Sequence, residues 1–566
     1  MQSGESPKSL EYSKIIKDPV YGYISICEKA LVENVIDTPE FQRLRDVRQA
    51  SYSPLFPSAT HTRFCHSLGV YHLGKFVFAA LKPYLVAEFG SEQEVDDIGQ
   101  TFIVACLLHD VGHAPFSHIG ERYFQKESLL GELDELGEDF IVDAGKHSAD
   151  NHELMSVIIS RQYILPKLKD SDVVIDECLF ARCITGAKYE GSDPKKQLRN
   201  CVIELLNSDT IDVDKLDYLI RDTMFSGFDS VNLDYRRLLN GARIARKIDS
   251  DVPHIGFHKS AISVVENVVL ARDSLYKWVI NHPSILYENY LIERGIQLFV
   301  DGYHYGDSED TPFCSKALSI AGKQLVKLRN GEPDEDQELD TVLLLSDSQV
   351  ISSMKENLEN DESGLLREYF DRGQRRRPIW KSESEYKAVF KKNGVEADKI
   401  KSISGCIDAL VRCAMNLSDT KIINKDFIDK CRDQLEDRKN IADTDSKIAG
   451  DVKSWNALIF WAEGLLNLLE ESCNECLVLM HDRKSSGFAS NRIGKIPILF
   501  ESDVCVDLKS VTDVLKGIQV DEKIFFIFTD RNQEPVDSLK FTWDLHVLHK
   551  QLVDKFGEGI LNSFKE

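Results

Sequence analysis

The chain has 566 residues, 42% hydrophobic and 29% charged, which is ample apolar material for about two to four packed domains and too much for a disordered protein. A formal net charge of −24 creates a negative field that excludes general nucleic-acid binding. No apolar run approaches the roughly 18 residues of a membrane span, so no membrane partner is expected. The opening residues MQSGESPKSLEYSK lack the apolar stretch of a secretory signal. Thirteen cysteines are scattered, several within apolar segments (Cys27, Cys106, Cys201, Cys413), which suits reduced thiols and a cytoplasmic location. The CxxC pair Cys473/Cys476 has no second pair to complete a zinc site.

Along the chain, apolar residues recur at helical spacing in 37–49, 66–85, 97–112 and 260–280. Asp37 and Thr38 before Pro39 mark a helix start. The acidic stretches 129–143 and 331–340 read as solvated loops or short helices. The lysine- and glycine-containing KKNGVEADK suggests a boundary near 385–405. Beyond it, helical patterns at 407–416 and 454–480 precede β-rich runs at 496–502 and 522–530. The expected architecture is mostly α, with a catalytic core over 1–385 and a smaller α+β lobe over 386–566 suited to oligomerisation or regulation.

Histidine marks where chemistry is concentrated. Eight of fifteen histidines (His61, His66, His72, His109, His113, His118, His147, His152) fall between residues 61 and 152. His109-Asp110 ends the apolar segment FIVACLL, at the edge of a core, where a carboxylate beside an imidazole calls for compensation such as a divalent cation. His481-Asp482 has the same two letters in a polar, turn-like setting and is read as unrelated. His66 opens a helix upstream, and Asp212, Asp214 and Asp217 cluster downstream. One imidazole, the His-Asp pair and one distant aspartate make a two-nitrogen, two-oxygen set, which suits Mn, Fe, Co, Ni or Zn and leaves positions for water and substrate oxygens.

These features stand in a dense series of words: DPVYGYI, IDTPEFQRLRDVRQ, RFCHSLGV, LLHDVGHAPFSH, NHE and IDVDKLDYLIRD. Over roughly residues 10–300 the chain closely resembles the HD-domain deoxynucleoside triphosphate (dNTP) triphosphohydrolases, which include bacterial dGTPases and an animal enzyme joining a sterile-alpha-motif domain to an HD domain. The resemblance implies an HD-type helical core. It implies His66, His109, Asp110 and Asp214 as metal ligands, Asp214 being preferred because it directly precedes Lys215. It places Arg63, Lys215 and Tyr218 on phosphate oxygens, His118 at the α-phosphate, Gln49 and Asp222 by sugar hydroxyls, and Tyr290 against the sugar. Proton transfer falls to His113, His152 and Glu121. Asp37, Gln42 and Arg45 coincide with positions that hold an activating nucleotide in the animal enzyme, although salt bridging within an amphipathic helix explains them equally well.

There are two departures. Where the animal enzyme has a phosphate-binding arginine, the chain reads NHP and places His282 there, with Leu286 replacing another polar contact. The implied reaction is metal-dependent hydrolysis of dNTPs at the α-phosphorus to deoxynucleoside and tripolyphosphate, with Mg2+ accompanying the triphosphate. The implied assembly is a homo-oligomer: dimer, tetramer or hexamer. The alternatives are a phosphohydrolase of another nucleotide, a cyclic nucleotide or a nucleic-acid end, and a non-catalytic nucleotide sensor with a vestigial site.

Overall fold

The structure, a computed structural model, describes residues 14–563 apart from 125, 148, 229–232, 248–249, 302–344, 360, 362, 442–445, 470–474, 484–492, 501–503, 518–521 and 533. The acidic stretch 331–340 and Cys473 therefore lie outside the described residues.

Two compact units emerge, one of Met1–Leu275, Ile292–Asn360 and Gly487–Ile518, the other of Tyr276–Leu291, Asp361–Ser486 and Gln519–Glu566. The division near 361 precedes the boundary expected near 386, and the chain returns to the first unit late in its course.

The first unit is mostly helical. Its long Arg63–Phe89 helix lies against Glu92–Leu108. Close approach is possible because Gly74 has no side chain: a Cβ there would sit 2.7 Å from Sγ of Cys106. Ser91 caps the second helix by accepting from the Glu94 amide. Helices Asn151–Ile159, Glu177–Thr185, Pro194–Leu206 and Val213–Ser226 complete the bundle around the long helix. Thr38 caps Pro39–Gln42 as the residue types suggest, but the segment tightens into a 3-10 turn at Arg43–Asp46 instead of running on as one helix.

The acidic 129–143 region is a set of short helices with Leu129, Leu133 and Phe140 buried, so its apolar residues dock it to the unit. A hairpin of Ala242–Lys247 and Ser250–His258 is extended by Pro497–Leu499, parallel to the second strand, and then by Cys505–Asp507, antiparallel. Pro497–Leu499, the described strand of the β-rich run expected at 496–502, thus serves the first unit rather than a C-terminal lobe.

The second unit is an α+β body. Its antiparallel sheet runs Arg377–Pro378, Glu522–Thr529, Glu475–Arg483, Ile422–Asn424. Ile524 through Phe528 are all buried, which accounts for a continuous apolar run in place of alternation. Helices Glu383–Lys392, Ala397–Ser418, Lys425–Ile441, Ser446–Leu468 and Ser538–Phe556 accompany this sheet, whose core is centred on Trp380, Trp461 and Phe525.

Two sequence expectations are corrected here. The helical pattern at 454–480 ends at Leu468, and Glu475–Arg483 is a strand, because consecutive apolar residues pair with the central strand. His481 and Asp482 lie in that strand opposite Ile524 and Lys523, not in a turn. Cys476 is a buried strand residue for the same reason. Among the described residues the cysteines are free thiols, and no helix is long and apolar enough to cross a membrane.

Candidate metal centre and histidine cluster

Three chain segments of the first unit deliver the site. Arg63 and His66 lie in the first turn of the Arg63–Phe89 helix, one turn apart and on one face. His109 is the C-terminal cap of Glu92–Leu108, and Asp110 follows in the turn. Asp214 lies in the first turn of Val213–Ser226, whose N-cap, Asp212, accepts from the Lys215 amide at 2.8 Å. Asp212 is thereby committed to capping, which leaves Asp214 facing the histidines.

The donor atoms converge. Nε2 of His66 lies 2.9 Å from Oδ1 of Asp214, 3.3 Å from Nε2 of His109 and 3.5 Å from Oδ2 of Asp110. Nε2 of His109 lies 3.4 Å from the other Asp110 oxygen and 3.7 Å from Asp214. His66 is fully buried, whereas the Asp214 side chain is about one third exposed (34%) and gives the site its opening. The remaining ring nitrogens are anchored from behind: Nδ1 of His109 lies 3.0 Å from the Cys106 carbonyl and Nδ1 of His66 2.7 Å from Asp217. Burial opposes charge on His66, but hydrogen bonding to Asp214 and Asp217 outweighs it and lifts the imidazole to about 10. Asp110 and Asp214 are held well below the usual carboxylate range despite burial, Asp110 chiefly by the Arg63 guanidinium and Asp214 by the two histidines.

A second cluster adjoins the first. Glu121 gathers three histidines: Nδ1 of His113 at 2.6 Å, His152 at 2.9 Å and His118 at 3.2 Å. The His113 and His152 rings stack at 4.0 Å, and Nε2 of His113 lies 3.1 Å from Asp110, which joins the two clusters. Burial pushes His113 down to about 4, helped by the positive charges of Arg63 and His152. Burial also opposes charge on His152, yet Glu121 raises it to about 9. Glu121 is ionised across the ordinary pH range because His152 and its other histidines overcome the desolvation cost. At neutral pH the stacked pair thus has one neutral and one protonated imidazole.

Between the clusters, Arg63 donates to Asp110 at 2.8 Å and to the Ser117 hydroxyl at 3.0 Å. Phe116 and Ser117 both have left-handed backbone (φ 56°), a conformation costing non-glycine residues on the order of 1–3 kcal/mol each. His118, immediately after them, is exposed.

The other expected site residues are placed as follows. Lys215 donates to the Ser208 carbonyl and to Asp212, and the Tyr218 hydroxyl accepts from Arg272. Asp222 is buried between His61 (2.7 Å) and the Tyr52 hydroxyl (3.1 Å). Gln49 is buried, and its Oε1 has no hydrogen-bond partner among the described residues. Gln42 and Arg45 bond each other at 2.7 Å while Asp37 pairs with Lys14, so the three positions are engaged in local contacts. His282 and Tyr290 belong to the second unit, where His282 accepts from the Ser284 amide and the Tyr290 hydroxyl from the Lys421 amide. Apart from these expected residues, Arg375 and Arg376 are tied within that unit to Glu288, Glu368 and Glu475.

Asp217, His61, Tyr52 and Ser117 were not singled out as site partners from sequence. Asp217 stood in the aspartate cluster at a one-turn offset from Asp214, and that spacing is the signal that it shares a face with the ligand.

Residues 63–180 match the HD domain family. The chain is 29% identical over 265 residues to an uncharacterized protein, MG461, of Mycoplasma genitalium, covering 46% of this chain and 54% of that one. It is 31% identical over 291 residues to a deoxynucleoside triphosphate triphosphohydrolase SAMHD1 homolog of Dictyostelium discoideum, covering 50% of this chain and 49% of that one. The chain thus spans about half the length of these curated relatives. A hypothetical protein from Aquifex aeolicus shares the fold at a TM-score of 0.52 and 18% identity, over 94% of this chain and 100% of that one. Residues 63–180 are therefore an HD domain, and about half of the chain is similar to proteins named as deoxynucleoside triphosphate triphosphohydrolases.

Proposed function

We propose that the first unit hydrolyses dNTPs at the α-phosphorus, releasing deoxynucleoside and inorganic tripolyphosphate. The observation that carries this reading is the convergence of His66, His109, Asp110 and Asp214 beside the histidine cluster gathered on Glu121. Two imidazole nitrogens and two carboxylates fit a first-row divalent transition metal (Mn, Fe, Co, Ni or Zn), and these four side chains would hold it. Such an ion, when bound, supplies Lewis acidity to the α-phosphoryl oxygen.

The protein's own groups do the rest. Arg63, braced by Ser117, would present its guanidinium to phosphate oxygens and exposed His118 would add a donor, whereas Lys215 and Tyr218 would do so only by turning from Asp212 and Arg272. Protonated His152 holds a proton that Glu121, in contact with both rings, can relay to His113 and on toward the leaving 5′-oxygen. Mg2+ accompanies the triphosphate as its counter-ion. Self-association belongs to the same reading, while at Asp37, Gln42 and Arg45 the local contacts favour a structural role over nucleotide activation.

Chromatography of the products from all four dNTPs, with Mn2+ or Mg2+ and with or without GTP, tests it. Tripolyphosphate is expected, and release of orthophosphate or pyrophosphate instead would overturn the reaction assigned here.

A further inference from the structure

The strained turn at Phe116–Ser117 lies between His113 and His118 and has to be held in place by something outside itself. The holding group comes from far along the chain. Asp347, buried in the first turn of the Asp347–Glu356 helix, accepts from the Phe116 amide through Oδ1 at 2.7 Å and from the Arg48 amide through Oδ2 at 3.1 Å. Its two carboxylate oxygens therefore fasten the histidine-bearing turn to the segment that precedes Gln49.

The surroundings are built to keep it there. Ser346 caps the helix in a reciprocal pair with Gln349, and the Ser346 and Ser348 hydroxyls donate to Asp46. The Arg43 guanidinium donates to the carbonyls of Leu345, Val111 and His113, so one buried cation spans the helix start and the histidine turn. Ser117 in turn donates to the Arg48 carbonyl at 2.7 Å and accepts from Arg63 at 3.0 Å. A shift of the turn would move Ser117, release Arg63 from its aim at Asp110, and swing His118 away from Glu121.

We propose that Asp347 is a positioning residue for the catalytic turn, holding Phe116 and Ser117 left-handed so that Arg63 and the histidines keep their registration. This rests on the functional reading above. It does not require Asp347 to touch substrate or metal.

The test compares wild-type, Asp347→Ala and Asp347→Asn full-length proteins for dNTP turnover, metal content and hydrogen–deuterium exchange over 111–124. In the Ala protein kcat is expected to fall about tenfold or more, as a displaced catalytic constellation would produce, with KM and metal content nearly unchanged. Exchange over 114–121 should quicken. The Asn protein, which keeps one acceptor oxygen, should recover part of both effects. If the Ala protein does not fold, the Asn protein carries the test through the same two readouts. Wild-type kcat and wild-type exchange over 114–121 in the variant overturn the proposal. If the wild-type protein hydrolyses no dNTP, the functional reading fails, and exchange over 114–121 alone judges the fastening by Asp347.

Discussion

Oδ2 of Asp217 lies 2.7 Å from Nδ1 of His66, on the side of the ring opposite Asp214. Asp217 is itself fixed by the Tyr21 hydroxyl at 2.7 Å and by two bonds from Arg221, which also reaches Asp18. An ion would displace the Nε2 proton while the Nδ1 proton stays shared with Asp217, so the carboxylate sets both tautomer and ring angle. Asp217→Asn is expected to weaken metal binding about 10–100-fold, as loss of such outer partners does. Chelator competition measures this, and an unchanged affinity would contradict the orienting role.

Gly69 is the condition for that arrangement. A Cβ at this position would lie 1.9 Å from Oδ1 of Asp217 and 2.4 Å from an Arg221 nitrogen, with buried groups on all sides. Gly69→Ala should cost about 1–3 kcal/mol in a urea titration, typical of overpacking, and should lower metal affinity with it. A stable variant with normal affinity would show that the network can yield.

Asp110 faces both histidines of the centre and is gripped by Arg63. Asp110→Ala is expected to reduce dNTP turnover to background, and chelation of the wild-type protein should do the same until a divalent metal is restored. Normal turnover in the variant would defeat every enzymatic reading of this site.

The Glu121–His152 pair makes stability depend on pH. Its histidine is raised from 6.5 to about 9 by Glu121 after burial has opposed it. The folded state therefore binds that proton more tightly than the unfolded state. The contribution, up to about 3 kcal/mol, is fully present below about pH 6.5 and is lost as pH rises through about 9. Unfolding free energies at about pH 6 and pH 9.5 should differ in the wild type, and the difference should shrink in Glu121→Gln, leaving the share that His66 supplies. The proton held by His152 also sets the alkaline limb of activity, and turnover should decline above about pH 9.

Much of the candidate metal centre was legible because each candidate ligand lies in a short word whose local structure is self-evident: a helix start for His66, an apolar helix end for His109-Asp110, an acidic helix start for Asp214. Asp347 gave no such signal, because its partners are backbone amides, which every residue carries. His481-Asp482 misled on conformation because a strand buried by its neighbours shows no alternation to read. His282 and Tyr290 were read as site residues by resemblance alone, and they belong to the second unit.

The late return of Pro497–Leu499 to lie beside Ser250–His258 has a practical consequence for anyone dissecting the chain. A fragment stopped near residue 385 would strip the hairpin of its neighbour, baring a row of unsatisfied amides and carbonyls next to apolar Phe257. Such a raw margin invites sticking to other copies, so soluble expression of the first unit calls for the late strand to be supplied, in the same polypeptide or as a separate peptide.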